Sequence, residues 1–209
     1  MLTLTKQLSI FAIITLLVSA CSTMNKSECL NADWRTIGYG DGARGYKAAR
    51  IGEHRSSCAE HGIRPNLNAY NTGREQGLSQ YCTPTTGYNK GISGYRYNGV
   101  CANHNERDFV EALNYGLAIY GEVRTLNKLK SEYRKQEKYI RQLEDELLFK
   151  EEQIISGRLS KVKAVIILNE TKEIAEELGK AKSNLKNIDY DINNQQRRIH
   201  GMKNQRRYN

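Results

Sequence analysis

The sequence predicts an all-α protein: a small disulfide-braced domain of short glycine-rich helices, followed by a long antiparallel coiled-coil hairpin. Three observations predict it. Four cysteines cluster before residue 105, a Gly/Tyr unit recurs among them at helical spacing, and apolar residues repeat every seven positions in the second half. Small residues four apart lie on one side of a helix, and sustained heptads specify coiled coil.

The first twenty residues read as an export signal. Lys6 supplies positive charge, Leu8 to Val18 form an apolar run interrupted by Ser9 and Thr15, and Val18-Ser19-Ala20-Cys21 follows. The run is too short to span a bilayer comfortably. Small residues ending in cysteine are the pattern of a bacterial lipoprotein signal, which predicts cleavage before Cys21 and acylation of that cysteine. An ordinary secretory signal with an incidental cysteine is the alternative. Multiple acyl chains, at roughly 0.8 kcal/mol per buried CH₂, make a stable anchor. Ser22 follows the cysteine. An aspartate there would mark inner-membrane retention, so similarity to enterobacterial lipoproteins implies an outer-membrane protein facing the periplasm. Residues 21–30 are then the acylated cysteine and its tether.

Residues 31–104 form the first predicted domain. Setting Cys21 aside leaves Cys29, Cys58, Cys82 and Cys101, an even set that reads as two disulfides in an oxidising compartment. Residues 34–120 hold nine of the thirteen tyrosines, and residues 38–101 hold twelve of the seventeen glycines. The recurring unit is small-xxx-small-apolar-xx-Tyr. It runs from Gly38 through Gly42 and Gly45 to Tyr46, then from Gly73 through Gly77 to Tyr81. A third copy runs from Gly87 through Gly91 and Gly94 to Tyr95, and a weaker fourth from Ala112 through Gly116 to Tyr120.

Such a face lets helix backbones approach closely, as GxxxG does between membrane helices, but the flanking residues here are too polar for a membrane. A phosphate-cradling loop is the competing reading. The spacing matches neither a P-loop nor a dinucleotide fingerprint.

Asn31 or Asp33 is expected to cap a first helix reaching about Tyr46, and a second helix covers 48–61 with Gly62 as its stop. Pro65 and Asn66 open a third helix ending near Cys82, and a fourth spans about 86–97. An antiparallel first pair brings Cys29 to Cys58. Cys82 ends the third helix and Cys101 follows the fourth, so the expected pairing is 29–58 and 82–101. A single continuous rod over the first two helices would defeat the first pair.

Residues 105–203 are the predicted hairpin. Ala112, Ile119, Leu126, Tyr133, Ile140, Leu147 and Ile154 keep strict heptad spacing, with Leu129 and Leu143 at companion positions. A second series runs Ala164, Thr171, Leu178, Leu185, Ile192 and Ile199, with Ile167, Ile174, Ala181, Ile188 and Met202. The two are out of phase by three residues, and the slip falls at Ser156-Gly157. A stammer in one rod would produce such a slip. A turn near 156–160 explains it better, with arms of about 60–75 Å at 1.5 Å per residue.

Net charge is +9, and no acid follows Asp191, whereas Arg197, Arg198, Lys203, Arg206 and Arg207 are basic. Residues 204–209 are the end of that tail. An exported protein does not meet nucleic acid. The expected partners are therefore the membrane through the lipid, anionic lipid, lipopolysaccharide or cell-wall carboxylates through the tail, and a protein on the hairpin.

No catalytic constellation stands out. Cys58-x-x-His61 and Cys101-x-x-His104 have zinc-like spacing, but such a site needs reduced thiols, so no metal or other cofactor is expected. Asp33, Asp41, Glu60, Glu75, Glu106 and Asp108 are scattered. The favoured function is a lipid-anchored envelope scaffold or interaction module. The alternative is a cell-envelope hydrolase using an acid such as Asp41 or Glu75.

"DWRTIGYGDG", "CAEHG", "YNTGREQGLSQYCTPTTGY" and "YNGVC", followed by a long charged helical region, resemble a family of Gram-negative lipoproteins known as a domain of unknown function. The resemblance covers roughly residues 28–200. It implies that the two halves form one unit, and it implies no activity, substrate or catalytic residue.

Overall fold

The computed structural model describes residues 24–205, and all regular structure among them is helical. The helices are α1 (Lys26–Leu30), α2 (Trp34–Ala43), α3 (Arg50–Ala59), α4 (Leu67–Tyr81), α5 (Pro84–Ile92), α6 (Glu106–Ile155) and α7 (Lys161–Asn204). The predicted all-α class holds. Helix α1 lies in the segment expected to be tether. Asn25 and Glu28 close a capping box around its start, which the Asn-xx-Glu spacing encodes. Asp33 caps α2, Asn66 caps α4 and Ser160 caps α7, each accepting from backbone N–H groups of the first turn.

The chain forms two compact units whose boundary differs from the expected division at 104/105. Among the described residues, one contains residues 24–83 with Tyr97–Asp108; the other contains Pro84–Arg96 with residues 109–205. The third copy of the Gly/Tyr unit, on α5, therefore belongs with the hairpin. The reason is its packing partner.

In the first unit α2 and α4 meet through glycine on both sides. A Cβ at Gly38 would stand 2.0 Å from the Tyr70 carbonyl oxygen, and one at Gly42 would stand 2.1 Å from that of Arg74. Reciprocally, Gly73 and Gly77 face the Arg35 and Tyr39 carbonyl oxygens at 1.9 and 2.1 Å. Only hydrogen fits in these gaps. Gly45 then leaves the helix at φ +74°, in the left-handed region, with the Tyr81 ring against its Cα. Trp34, Tyr70, Cys29, Cys58 and Met24 form the core beside this pair.

The second unit repeats the device. Gly87 faces the Phe109 carbonyl, Gly91 faces that of Leu113, and Gly116 lies against the Cα of Gly91. Gly94, also at φ +74°, lies under the Tyr120 ring. Copies one and two of the sequence unit thus pair with each other, as do copies three and four.

Helices α6 and α7 run antiparallel. Glu122 meets Gln195 and Arg198, Gln136 meets the Ala181 carbonyl, Glu144 meets Lys182, and Lys150 meets Glu170. Position thus rises on one arm as it falls on the other. Ile140, Leu143, Ile174 and Ala181 form the seam, and Leu147, Leu178 and Leu185 pack on it. These are heptad positions. Tyr88, Ala112 and Ile119 form a second cluster with Met202 packed against it. No described helix is long and apolar enough to cross a membrane.

Candidate functional site

Two histidine–carboxylate pairs lie in the first unit, each assembled from residues far apart in sequence. Asp41 precedes Gly42 on the packed side of α2, Tyr70 opens α4, and His54 lies on α3 one turn before Cys58. The Cys29–Cys58 bond, with Cα atoms 5.5 Å apart, fixes that side of α3 inward. The Asp41 Oδ2 atom accepts from the Tyr70 hydroxyl at 2.9 Å and lies 2.8 Å from His54 Nε2. Arg44 approaches Oδ1 at 3.4 Å.

Asp41 and Tyr70 are 1% and 0% exposed and His54 6%, so the Asp41 oxygens are satisfied by protein donors rather than by water. Burial, and then the bond to Asp41, push the Tyr70 phenol above its ordinary pKa. The His54 ring is edge-on to Tyr70. With three groups pointing at Asp41, the Nε2 nitrogen of His54 is assigned as the donor, which leaves Nδ1 without a hydrogen-bond partner. His54 also lines a cleft of about 440 Å³ with Met24, Glu28, Asn31, Asp33 and Ile37. A carboxylate-oriented imidazole is the chemistry of a base or a ligand. Here it is enclosed by the core that it helps to specify.

The second pair is nearer the surface. The 97–105 segment is held by the Cys82–Cys101 bond and by Tyr97, whose hydroxyl donates to Glu106 at 2.7 Å and accepts from the Cys101 N–H at 2.9 Å. That places His104 Nε2 3.0 Å from Glu75 Oε2 and Nδ1 3.4 Å from Ser79 Oγ. Glu75 and Ser79 are one turn apart on α4. The Ser79 hydroxyl is also 3.2 Å from the Glu75 carbonyl, to which it donates. A cleft of about 250 Å³ beside Glu75 is lined by Lys47, Arg74, Asn98 and Val100.

The structure gathers Gly38, Gly42, Gly45, Gly73 and Gly77 at one seam and Gly87, Gly91, Gly94 and Gly116 at another. Cys58 and Cys101 are committed to disulfides, so neither offers a thiolate beside His61 or His104. Asp41 is no free acid; it is the acceptor at the centre of a buried network. In the basic tail, Arg198 is not unopposed, because Glu122 pairs with it at 2.9 Å. Arg197 and Lys203 are exposed, whereas Cys21, Arg206 and Arg207 lie outside the described residues. The sequence motifs do not single out His54, Tyr70 or Ser79. The available signal was position: His54 is four residues before a disulfide cysteine on a helix, so it must face the core.

Residues 33–118 match a family model described as "Protein of unknown function (DUF2799)". No curated protein and no solved structure matches the chain. The matched span starts at the α2 cap and runs into α6, so it takes in both glycine seams and both histidine–carboxylate pairs. It is shorter than the resemblance expected over 28–200.

Proposed function

We propose that the protein is a lipid-anchored outer-membrane protein, facing the periplasm, that acts as an interaction module through its coiled-coil hairpin. The signal-like residues 1–20 and Cys21 support the anchor, and the two disulfides fit an oxidising compartment. The single observation that carries the interaction reading is the hairpin, with helices of 50 and 44 residues. Its far end carries apolar side chains in solvent that the coiled-coil seam does not use. Crosslinking of envelopes followed by pull-down, with and without residues 122–209, tests it. Partners captured only by the full chain support the reading; identical captures overturn it. The anchor is tested separately by Cys21→Ala, which abolishes labelling with a fatty-acid probe if Cys21 is the acylated residue.

A second reading, an envelope hydrolase, has one specific observation behind it: the Ser79, His104 and Glu75 arrangement. Against it, the Ser79 hydroxyl is already donated to its own helix. Stoichiometric labelling by a fluorophosphonate that is lost in Ser79→Ala and His104→Gln would establish this reading over the first.

A further inference from the structure

We propose that the hairpin tip is a membrane-interface element that inserts shallowly into a phospholipid bilayer bearing anionic headgroups. This deepens the interaction-module reading and rests on it in taking the hairpin as the contact element. Exposed large apolar side chains concentrate at the tip: Ile155 is 83% exposed, Val162 71%, Leu148 63% and Phe149 61%, with Val165, Ile166 and Leu168 beside them. At the start of α7, Ala164, Ile167 and Thr171 take the seam positions. Val162, Val165, Ile166 and Leu168 point around the remaining circumference, at 100° per residue.

A single facing helix or groove covers one stripe. An apolar medium that surrounds the tip covers all of it. Charge points the same way. Between Glu152 and Glu170 there is no acid, while Arg158, Lys161 and Lys163 are basic and exposed. This combination of apolar bulk with cations suits an anionic lipid surface, and it disfavours a tip-to-tip dimer that would bring like charges together.

The dimensions fit. Val162 to Leu168 spans about 10 Å of helix, comparable with interfacial burial of about 5–10 Å and far below a bilayer. Glu151 and Glu152, exposed on α6, mark the headgroup level, so Ile155 and the start of α7 insert while Leu148 and Phe149 stay on the water side of it. The basic tail is the competing lipid contact. It lacks comparable apolar bulk, since Ile199 is buried and Arg198 is paired.

The test uses residues 22–209, which contain every described residue of both units, with phosphatidylethanolamine/phosphatidylglycerol vesicles and phosphatidylcholine vesicles as probes. Co-sedimentation should favour the anionic vesicles and weaken with salt. The exposed triple variant Ile155→Ser, Val162→Ser, Ile166→Ser should lose on the order of tenfold or more in binding. Arg158→Gln with Lys161→Gln and Lys163→Gln should lose the preference for anionic lipid, whereas Arg197→Gln with Lys203→Gln should bind as the parent does. Circular dichroism checks that each variant stays folded.

Equal binding by the apolar variant and the parent overturns the proposal, as does loss of binding confined to the tail variant. So does a concentration-dependent dimer that needs the tip while vesicles are ignored. If vesicle binding fails but the hairpin still captures crosslinked proteins, the lipid proposal falls and the interaction-module reading stands.

Discussion

Replacing Gly77 by alanine is the sharpest test of how the first unit is held together. The added Cβ would stand 2.1 Å from the Tyr39 carbonyl oxygen and 2.6 Å from the Ala43 nitrogen, against an ordinary contact of 3.4–4 Å. Both obstacles are backbone, so no side chain can rotate away and the helices must part. Overpacking of this kind costs about 1–3 kcal/mol, and parting also loosens Tyr70, Leu78 and Tyr81 along the seam. Alanine returns up to about 1 kcal/mol through helix propensity. The net expectation is a loss of about 2 kcal/mol, or roughly 10 °C in Tm for a unit of this size.

Gly40 lies on α2, the helix that α4 packs against, and separates propensity from contact. Its nearest neighbour is the mobile end of Arg44 at 3.5 Å, so Gly40→Ala should raise stability by about 0.5–1 kcal/mol. Trp34 is the chain's one tryptophan and lies in this core, so its fluorescence during urea or thermal unfolding reports the unit directly. Opposite signs at the two glycines are the expected result. If Gly77→Ala shifts the midpoint in the same direction and by the same amount as Gly40→Ala, the close-contact account of the α2–α4 seam is wrong.

Other perturbations probe the remaining supports. The folded Tyr70 phenol keeps its proton above the unfolded value of 10.0, so its contribution is fully present below that pH and is lost as pH rises, by up to about 1.4 kcal/mol per unit; Tyr70→Phe should remove that slope in alkaline unfolding curves. The Thr36 hydroxyl, ahead of the backbone bonds, holds the Asp33 carboxyl below its ordinary 3.8, so the α2 cap stabilises above that pH and is lost as pH falls through the folded value; Asp33→Asn should blunt this part of the acid transition. Removing the Cys82–Cys101 bond, which spans 19 residues, should cost about 3 kcal/mol and release His104 from Glu75, seen as a change in the His104 ring chemical shifts by NMR at fixed pH.

How much of this was legible in the sequence follows from the range of each interaction. The heptads located the hairpin seam because each helical turn repeats the same test of burial, and the glycine spacing located the packing faces for the same reason. What spacing alone could not tell was which copy of the Gly/Tyr unit packs on which. Thus spacing groups α5 with the preceding copies, whereas its packing partner Phe109–Gly116 lies beyond a loop. Asp41 stands out in the sequence only as one of several scattered acids, and its meeting with His54 and Tyr70 depends on where three helices cross. The α1 cap was readable from Asn25 and Glu28 but was overlooked as part of a tether.

The duplication of the glycine seam also bears on what the polar network is for. Position by position, Gly38, Gly42 and Gly45 correspond to Gly87, Gly91 and Gly94, and Tyr81 corresponds to Tyr120. Where the first pair has Tyr70 behind its glycine, the second has Phe109, equally buried; where the first has Asp41, the second has the half-buried Lys90, whose ammonium lies over the Tyr95 ring. At the position matching Asp41 the second pair has no acid, so close helix approach does not require one there. Burying Asp41 is costly unless all its donors are in place, and an apolar replacement of similar volume is often neutral or stabilising in such settings. The first unit therefore carries a polar cluster that the shared packing rule leaves unexplained. Asp41→Leu combined with His54→Phe is the variant that separates the two roles. If it keeps or raises the Trp34-reported stability, the network contributes specificity or chemistry rather than stability; a loss of several kcal/mol would instead make it a structural strut of the first unit.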